Sequence, residues 1–279
     1  MNICIVGIGL IGGSLAKAIN NLGSHTVFGI DNNEKILNAA IKEKVIHKAF
    51  LDGKEILPIC DIVILCIYPK DEIKFIKQNL TYFKQNAIIT DVSGLKTRLV
   101  DEAREVLSSR DDISFISAHP MTGKEINGLE NSDGNLFVNC NYIIIQDDKN
   151  HSSLHTIEDL IKSIGAKNII YSSPKEHDTL IGYTSHLPHI LAVSLCMDDY
   201  FNVCKKFIGR SFKDVSRVAE INEDLWSELF IENKENLLDS IERFKKNLNI
   251  LEKVIKNEDE ASLRELLKKS RIRKNALGE

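Results

Sequence analysis

An apolar run at the start of the chain stops at a glycine and resumes two glycines later with helical spacing. Residues 2–18 read NICIVGIGLIGGSLAKA, which predicts a strand, a tight turn and a helix. Gly7, Gly9 and Gly12 stand in the spacing G-x-G-x-x-G. In such a turn the first glycine bends the chain, the second lets a phosphate approach the backbone, and the third lets the helix pack on the strand. The stretch therefore predicts an anion site at the N-terminus of a helix.

The next apolar run supplies the context that a bare glycine motif lacks. Residues 26–30 predict a second strand, and Asp31 follows it about 20 residues after Gly12. An acidic side chain there accepts hydrogen bonds from an adenosine ribose, and no arginine stands beside it to bind a 2′-phosphate. The pattern predicts NAD rather than NADP; the alternative is a glycine turn with a structural role only. The expected cofactor contacts are Gly7, Gly9, Leu10, Ile11, Gly12 and Asp31.

Length and charge exclude several other classes of protein. A chain of 279 residues with 43% hydrophobic content can bury the cores of two ordinary domains. Its net charge of −4 gives no general attraction to nucleic acid or to an anionic membrane. An anionic ligand must therefore be held by a few local basic groups.

Cysteine usage and hydropathy indicate a cytoplasmic protein. The six cysteines form no C-x-x-C pair, which is typical of reduced proteins. No apolar segment approaches the ~20 residues that a membrane span needs. The first strand is expected directly after Met1, which leaves no room for a signal peptide.

Strand and helix patterns alternate through the first part of the chain. After residues 26–30, strands are expected at 61–67, 87–90, 113–118, 141–146 and 168–171, and helices at 33–44, 71–79, 95–107 and 152–165. This α/β rhythm predicts a Rossmann-type doubly wound parallel sheet. From Ser173, which with Pro174 and Glu176 forms a helix-capping pattern, only helical patterns follow. We therefore expect a dinucleotide-binding domain at 1–172 and an all-helical domain at 173–279.

Residues that follow strands are the first candidates for a site, because ligands of such sheets bind beyond the carboxyl ends of the strands. Three stretches stand there, at 68–70, 91–96 and 119–125. His119 is expected at the edge of the sheet near the nicotinamide end of the cofactor, which makes it a candidate general base. The alternative is a surface histidine that precedes a proline turn.

Two histidines flank a proline in the helical part. Residues 185–189 read SHLPH, and a proline inside a helix costs about 3 kcal/mol. A kink at Pro188 would aim His186 and His189, which share one helix face, at a neighbouring group. The alternatives are a metal pair and two buried structural histidines.

A charged, loop-like stretch at 208–217 ends in Arg217. A guanidinium grips a carboxylate with two hydrogen bonds, whereas a lysine supplies a point charge. Arg217 is therefore a candidate carboxylate ligand, and the alternative is an arginine that is solvated or paired with Asp214 or Glu220.

From Trp226 the pattern predicts one long helix. Its apolar residues follow a heptad seam, at Leu237, Ile241, Phe244, Leu248, Leu251 and Ile255. The seam could pack within one subunit or against a second, and a homodimer through the helical domain is expected. Residues 257 and 260 then cap a final helix through Leu267.

With these motifs in place, the sequence resembles the prephenate dehydrogenase family nearly end to end. The motifs that carry the resemblance are GIGLIGGSLA from Gly7, DVSGLK from Asp91, HPMTGKEING from His119, the pair His177-Asp178, SHLPH from Ser185, FKDVSR from Phe212 and ENKEN from Glu232. The resemblance implies NAD-dependent oxidative decarboxylation of prephenate to 4-hydroxyphenylpyruvate in tyrosine biosynthesis. In that reaction hydride passes to the nicotinamide and the ring carboxylate leaves as carbon dioxide.

The resemblance also implies roles for single residues. His119 would accept the proton of the ring hydroxyl, His189 would bind substrate, and Arg217 would bind a carboxylate. His186 is a further candidate substrate contact. A neutral His119 is required, so the rate is expected to rise through its pKa, about 6.5 if unperturbed.

The chain departs from the family at three positions. The family usually has a serine where this chain has Gly94, so Ser93 is the candidate to assist His119. Lys124 stands where a smaller polar residue is common and would add a cation near a dianionic substrate. Arg210 replaces a glycine that often precedes the FKDVSR-like segment.

Three other functions remain as alternatives at this stage. An arogenate dehydrogenase would differ only in taking an amino acid side chain instead of a keto acid. A hydroxyacid dehydrogenase with a helical second domain typically uses a lysine, and no corresponding motif is present. A non-catalytic NAD-sensing module would have no use for a base and a carboxylate ligand together. A metal site formed by His177, His186 and His189 is not expected.

Overall fold

A computed structural model describes residues 1–124, 126–146 and 151–277 of the chain. Six parallel strands form its main sheet, in the order β3-β2-β1-β4-β5-β6. The strands are β1 (Asn2–Val6), β2 (Thr26–Ile30), β3 (Lys48–Phe50), β4 (Ile62–Leu65), β5 (Ile88–Asp91) and β6 (Ser114–Ile116). The doubly wound α/β fold is confirmed, although the edge strand β3 was not predicted because only three residues pair there.

Helices cover both faces of this sheet. They are α1 (Leu10–Asn21), α2 (Glu34–Lys42), α3 (Pro69–Asn79), α4 (Thr97–Leu107) and α5 (His151–Ser163). Alternate residues of each strand enter two apolar clusters, so that Ile3 and Ile5 pack on one face and Cys4 and Val6 on the other. Helix α3 begins at Pro69, two residues earlier than expected, because proline suits the first turn of a helix.

A second, three-stranded sheet was read wrongly from the sequence. Its strands are β7 (Ala118–Pro120), β8 (Asn141–Ile145) and β9 (Asn168–Ser172), with β7 antiparallel and β9 parallel to β8. Residues 113–118 were expected as one strand with His119 beyond its end. The carboxylate of Asp91 accepts hydrogen bonds from Ser117 Oγ at 2.7 Å and from the backbone N of Ala118 at 3.2 Å, and it draws the chain away from β6. His119 therefore lies in the middle of β7.

The described residues after Ser172 are helical and contain no strand. The helices are α6 (Pro174–Ile181), α7 (Leu187–Met197), α8 (Tyr200–Cys204), α9 (Arg210–Ser216), α10 (Glu223–Glu232), α11 (Lys234–Lys256) and α12 (Glu260–Asn275). Ser173 caps α6, and its hydroxyl accepts from the backbone N of Glu176 at 3.3 Å. The stretch 208–217, expected as a loop, is mostly the helix α9, and α12 runs past the expected end at Leu267.

A π-helical turn solves the problem that Pro188 creates. The turn spans Gly182–His186 between α6 and α7, so the proline falls in the first turn of α7, where its missing N–H is tolerated. The wider turn lets Gly182 approach the backbone of Asn236 in α11; a Cβ on the glycine would lie 3.1–3.2 Å from that residue. The predicted local distortion is thus present as a π-turn.

The single long helix expected from Trp226 is two helices. Asn233 breaks the run with φ −99° and ψ 24° and ends α10. Its side chain is 5% exposed and donates to the carbonyl of Asp178 at 2.9 Å. The amide ends the helix through a contact with a distant residue, so the spacing of apolar residues in the sequence shows no interruption at Asn233.

One run of the helical part is apolar enough, by length and composition alone, to cross a membrane. It spans Pro174–Met197, 24 residues that include an 18-residue window with a mean hydropathy of 1.3, whereas no such run was expected from the sequence. The run carries the buried side chains of His177, Asp178 and His186. Ionisable residues are rare in membrane spans, and the helices of folded domains satisfy the same criterion.

Ion pairs dock the helical part on the main sheet. Arg98 at the start of α4 donates to Glu232 of α10 at 2.8 Å. The ammonium of Lys70 lies 3.3 Å from Glu228, whose carboxylate also accepts from the backbone N of Lys70. These contacts place α10 over the carboxyl ends of β4 and β5.

Candidate active site

The glycine turn has the geometry that its spacing predicts. Gly7 has φ +89°, and a Cβ there would lie 2.5 Å from the carbonyl oxygen of Cys66. A Cβ on Gly12 would lie 1.9 Å from the carbonyl oxygen of Gly7. Gly9 caps α1, and a Cβ there would meet nothing within 4 Å. The space in front of the helix N-terminus is therefore open, as a bound pyrophosphate requires.

A cavity of about 420 Å³ continues from this turn. Gly7 and Asp31 line it together with Leu51 and Phe75. The backbone N of Ile8 donates to Oδ2 of Asp31 at 2.8 Å, which holds the carboxylate against the glycine turn. The acidic group, the apolar walls and the open helix N-terminus fit the adenosine half of a dinucleotide. Leu10 and Ile11 begin α1 at the same place.

His119 begins a chain of hydrogen bonds that crosses between the two parts of the molecule. Its Nδ1 lies 2.9 Å from Nε2 of His177, and Nδ1 of His177 lies 2.8 Å from Oδ1 of Asp178. The Asp178 carboxylate accepts from the backbone N of Lys96 at 2.9 Å and of Thr97 at 2.8 Å. The half-buried imidazole of His119 is thus held by side chains of α6 and by the start of α4.

The surroundings of His119 favour its neutral form. Burial lowers the pKa of His119 well below its usual value, and the positive charge of Lys96 lowers it further, as do His177 and His186. Burial also lowers the pKa of His177, against the opposing effect of Asp178. His119 is therefore a proton acceptor at neutral pH, and the acid limb expected near pH 6.5 moves to lower pH.

A buried polar cluster supports the strand that carries His119. Lys96 is fully buried, and its ammonium contacts the carboxylate of Asp91 and donates to the carbonyl of Ala118 at 2.6 Å. Ser93, 6% exposed, donates to the same carboxylate at 2.9 Å. Among the described residues no hydrogen bond joins Ser93 to His119, so its expected catalytic role stays a prediction. Glu72 is fully buried beside it, and burial followed by the charge of Asp91 raises its pKa well above the usual value.

His186 and His189 flank Trp226 of α10. The rings of His189 and Trp226 stack with centroids 3.7 Å apart, and Nδ1 of His189 lies 2.8 Å from the carbonyl of Ser185. His186 meets the edge of Trp226 at 5.9 Å and is 1% exposed. Burial, followed by the nearby His189, lowers the pKa of His186 to about 4. Trp226 therefore belongs to this cluster, although the sequence placed it only in a helix.

Two further candidates from the sequence are Arg217 and Lys124. Arg217 begins the helical turn Arg217–Ala219, which packs on α7, the helix of His189. Lys124 is exposed and donates to the carbonyl of Asn131 at 2.9 Å. Glu125, the last residue of the stretch predicted after His119, lies outside the described residues. The structure brings His119, His186 and His189 into one cluster, whereas the hydrogen bond of Lys124 goes to Asn131 outside it.

The residues that the sequence left without a role are His177, Asp178, Lys96 and Trp226. His177 and Asp178 were noticed as an adjacent pair, and His177 also as a member of an unexpected metal site. Nothing in the sequence relates them to His119, 58 positions from His177. In the part of the chain that the structure describes, no group of three or more histidine, cysteine or acidic side chains is arranged to hold a metal ion.

Two family models match the chain in succession. Residues 15–170 match the prephenate dehydrogenase nucleotide-binding domain, and residues 173–269 match the prephenate dehydrogenase dimerization domain. The chain belongs to the prephenate dehydrogenase family. The prephenate dehydrogenase of Lactococcus lactis is 33% identical over 270 residues, which cover 93% of this chain and 73% of that protein.

Solved structures of the family superpose on nearly the whole chain. An Aquifex aeolicus prephenate dehydrogenase, crystallised with hydroxyphenyl propionate and NAD+, has a TM-score of 0.90 at 30% identity and covers 99% of this chain and 98% of its own. A Synechocystis arogenate dehydrogenase has a TM-score of 0.83 at 25% identity and covers 99% and 100%. Like its relatives, this member of the prephenate dehydrogenase family is an NAD-dependent oxidoreductase.

Proposed function

We propose that the protein oxidatively decarboxylates prephenate to 4-hydroxyphenylpyruvate in tyrosine biosynthesis. The observation that carries the proposal is the neutral imidazole of His119, held by His177 where strand β7 meets the helical part. The reaction needs a group that takes the proton of the ring hydroxyl and cations for two carboxylates. His119 would take the proton. Arg217, which lies beside the helix of His189, would supply a cation for one of the carboxylates.

Each group has a defined task in this proposal. Bound NAD supplies the hydride acceptor. Gly7, Gly9, Leu10, Ile11, Gly12 and Asp31 would hold it. His119 accepts the proton of the ring hydroxyl at Nε2 while the carbon that carries this hydroxyl takes on carbonyl character. After carbon dioxide has left, His119 returns a proton to the phenolate oxygen. Trp226 holds His189 for contact with the substrate, and Arg217 pairs with a carboxylate. Lys124 adds a cation near the substrate, and the buried His186 supports the ring of Trp226.

The choice of prephenate over arogenate rests on relatives. The Lactococcus lactis protein carries the name prephenate dehydrogenase at 33% identity, whereas the Synechocystis arogenate dehydrogenase shares 25%. The two substrates differ only in a keto or an amino group on the side chain. Arogenate dehydrogenase is therefore the second candidate function.

The test is the absorbance of reduced nicotinamide with purified protein, in which prephenate and arogenate are each crossed with NAD and NADP. We expect turnover with prephenate and NAD, and a loss of about 100-fold or more in kcat for His119→Gln. Turnover with arogenate alone would make the protein an arogenate dehydrogenase. NAD binding without turnover in any combination would instead favour the non-catalytic sensing module.

We also propose a cytoplasmic homodimer with a boundary near residues 172 and 173. The family model over 173–269 describes a dimerization domain. Of the heptad seam, Leu237 is buried, but Leu248 is 50% and Ile255 60% exposed. Phe207, elsewhere in the helical part, is 90% exposed. A second subunit would cover such a surface. All six cysteines are free, as a reducing compartment requires. Light scattering should give twice the chain mass of 31.5 kDa.

A further inference from the structure

Two buried residues lie behind His119, and the proposed reaction gives them no task. His177 is 1% exposed and Asp178 is 6% exposed, and both belong to α6 of the helical part. Nδ1 of His119 lies 2.9 Å from Nε2 of His177, whose Nδ1 lies 2.8 Å from Oδ1 of Asp178. The three side chains therefore form one chain of hydrogen bonds that ends at a buried carboxylate.

The carboxylate of Asp178, at the end of this chain of hydrogen bonds, is ionised. The backbone N atoms of Lys96 and Thr97 donate to its two oxygens at 2.9 and 2.8 Å. These N–H groups open α4, where unpaired donors and the helix dipole favour a negative charge. Burial alone would raise the pKa of Asp178, but the hydrogen bonds from His177, Thr97 and Lys96 hold it below its usual value.

An ionised Asp178 determines the tautomer of both histidines. A carboxylate can only accept, so Nδ1 of His177 must carry a proton. Burial lowers the pKa of His177, so its ring is neutral and its Nε2 is an acceptor. Nδ1 of His119 must then donate to that nitrogen. The lone pair of neutral His119 is left on Nε2.

The opposite arrangement is unfavourable. If His177 carried its proton on Nε2, its Nδ1 lone pair would face Oδ1 of Asp178 at 2.8 Å. Two buried acceptors without a shared proton cost about 1–3 kcal/mol. His119 would then carry its proton on Nε2 and could not act as a base there.

We propose that His177 and Asp178 are positioning residues that fix the proton of His119 on Nδ1 and stabilise the imidazolium that forms when Nε2 accepts a second proton. The inference rests on the proposed role of His119. The groups that face His119 otherwise oppose its positive charge, namely Lys96, His177 and His186. Asp178 is the carboxylate that offsets them through His177. Because His119 belongs to β7 and the pair belongs to α6, the base is oriented only when the two parts of the molecule are docked.

Nitrogen-15 NMR of histidine-labelled protein tests the tautomer without any substrate. The His119→Gln variant identifies the His119 signals by their disappearance. We expect wild-type His119 to be protonated on Nδ1 and unprotonated on Nε2 at neutral pH. A His119 that carries its proton on Nε2 would overturn the proposal. Turnover of prephenate, which is measured separately, would still decide whether the protein has the proposed function.

Variants of His177 separate positioning from structure. Glutamine offers an amide oxygen to the Nδ1 proton of His119, whereas leucine offers nothing. We expect His177→Leu to lower kcat about 100-fold with a small change in KM, and His177→Gln to recover about tenfold of that loss. Surface His155, which is 72% exposed at its side chain, supplies the control His155→Gln with unchanged kcat.

Asp178→Asn tests the other end of the chain. An amide that donates to Nδ1 of His177 reverses both tautomers, so kcat should fall about 100-fold and the NMR signals of His119 should report a proton on Nε2. A variant that folds, keeps the wild-type tautomer and keeps kcat within about twofold would exclude the proposed role. Equal kcat values for His177→Leu and His177→Gln at equal melting temperature would exclude it independently.

Discussion

The imidazole of His189 lies against the indole of Trp226, with ring centroids 3.7 Å apart and planes inclined by 28°. His189 lies in α7 and Trp226 in α10, so the stack joins two helices of the helical part. The indole also meets the edge of His186 and the ring of Phe230 at 5.3 Å. A flat aromatic support of this kind fixes the direction in which His189 presents its second nitrogen.

Removing the support should weaken substrate binding. Aromatic stacking contributes about 0.5–1.5 kcal/mol, so Trp226→Leu should raise the KM for substrate about tenfold with little effect on the KM for NAD. Trp226→Phe retains a ring face and should stay within about threefold of wild type. Steady-state kinetics at saturating NAD measures both variants. If Trp226→Leu binds substrate as tightly as Trp226→Phe, the indole does not position His189.

The sequence predicted the elements whose signals are local. The turn through Gly7, Gly9 and Gly12 requires close approaches that only glycine allows, so its spacing indicated both the strand and the helix. Strand β2 was placed at its observed bounds because the largely apolar run TVFGI ends just before Asp31. These features depend on neighbours in the chain, which a sequence shows directly.

The features that the sequence could not predict depend on distant residues. His119 joins His177 across 58 positions, and Asn233 joins Asp178 across 55. The departure of β7 from the main sheet follows from hydrogen bonds to Asp91, which no periodicity records. Trp226 lay inside a regular helical pattern, so its stacking partner could be found only in three dimensions. The motifs of the resemblance indicated His119, His189 and Arg217 as candidates. They did not show which side chains hold these residues in place.

Arg217 should control substrate affinity through its planar fork. A lysine keeps the charge but loses one of two hydrogen bonds to a carboxylate, so Arg217→Lys should raise the KM for substrate about tenfold and leave the KM for NAD unchanged. Arg210 stands on the same helical segment with a side chain that is 94% exposed, and Arg210→Lys is the matched control. Equal KM values for the two variants would remove Arg217 from the site.

A serine at position 94 should be accepted by the fold. A Cβ on Gly94 would meet only the side chain of Leu229, at 3.7 and 3.8 Å, which is ordinary contact. We expect Gly94→Ser to change the free energy of unfolding by less than about 1 kcal/mol and to raise kcat, since the resemblance implies that a hydroxyl at this position would assist His119. Gly94→Ala supplies the Cβ without the hydroxyl, so the ratio of the two kcat values isolates the effect of the oxygen.

The contribution of Ser93 can be measured separately from that of a serine at position 94. The hydroxyl of Ser93 donates to Asp91 inside the protein. If Ser93 acts only through this contact, Ser93→Ala should cost about 1 kcal/mol of stability and alter kcat only slightly. A loss of kcat without a loss of stability would contradict this and would place Ser93 at the ring hydroxyl. Urea unfolding and initial rates on the same preparations give both quantities.

Asp31 should determine the choice between NAD and NADP. Its carboxylate lines the adenosine-sized cavity, and its charge repels a 2′-phosphate. Asp31→Ser should weaken NAD binding. It should lower the ratio of kcat/KM for NAD to kcat/KM for NADP about 10- to 100-fold. Asp52 lines the same cavity with a side chain that is 62% exposed, and Asp52→Ser should leave the ratio unchanged. An unaltered ratio in Asp31→Ser would show that other groups select the cofactor.

The buried histidines should make the protein less stable in mild acid. His186 has its pKa lowered to about 4 in the folded state, and burial also lowers the pKa values of His119 and His177. Unfolding returns each to about 6.5, so below that pH the unfolded chain binds more protons and stability falls as the pH falls. Glu72, whose pKa is raised by burial, has the opposite slope.

His186→Gln isolates one of these contributions. From about pH 7.5 to pH 5 the free energy of unfolding of the wild type should fall about 2 kcal/mol further than that of the variant, because only the wild type must charge His186 on unfolding. His155→Gln, on the surface of α5, should follow the wild-type curve. Urea unfolding at a series of pH values measures the difference. Parallel curves for wild type and His186→Gln would mean that His186 titrates in the folded protein as it does in the unfolded chain, against the burial that the structure shows.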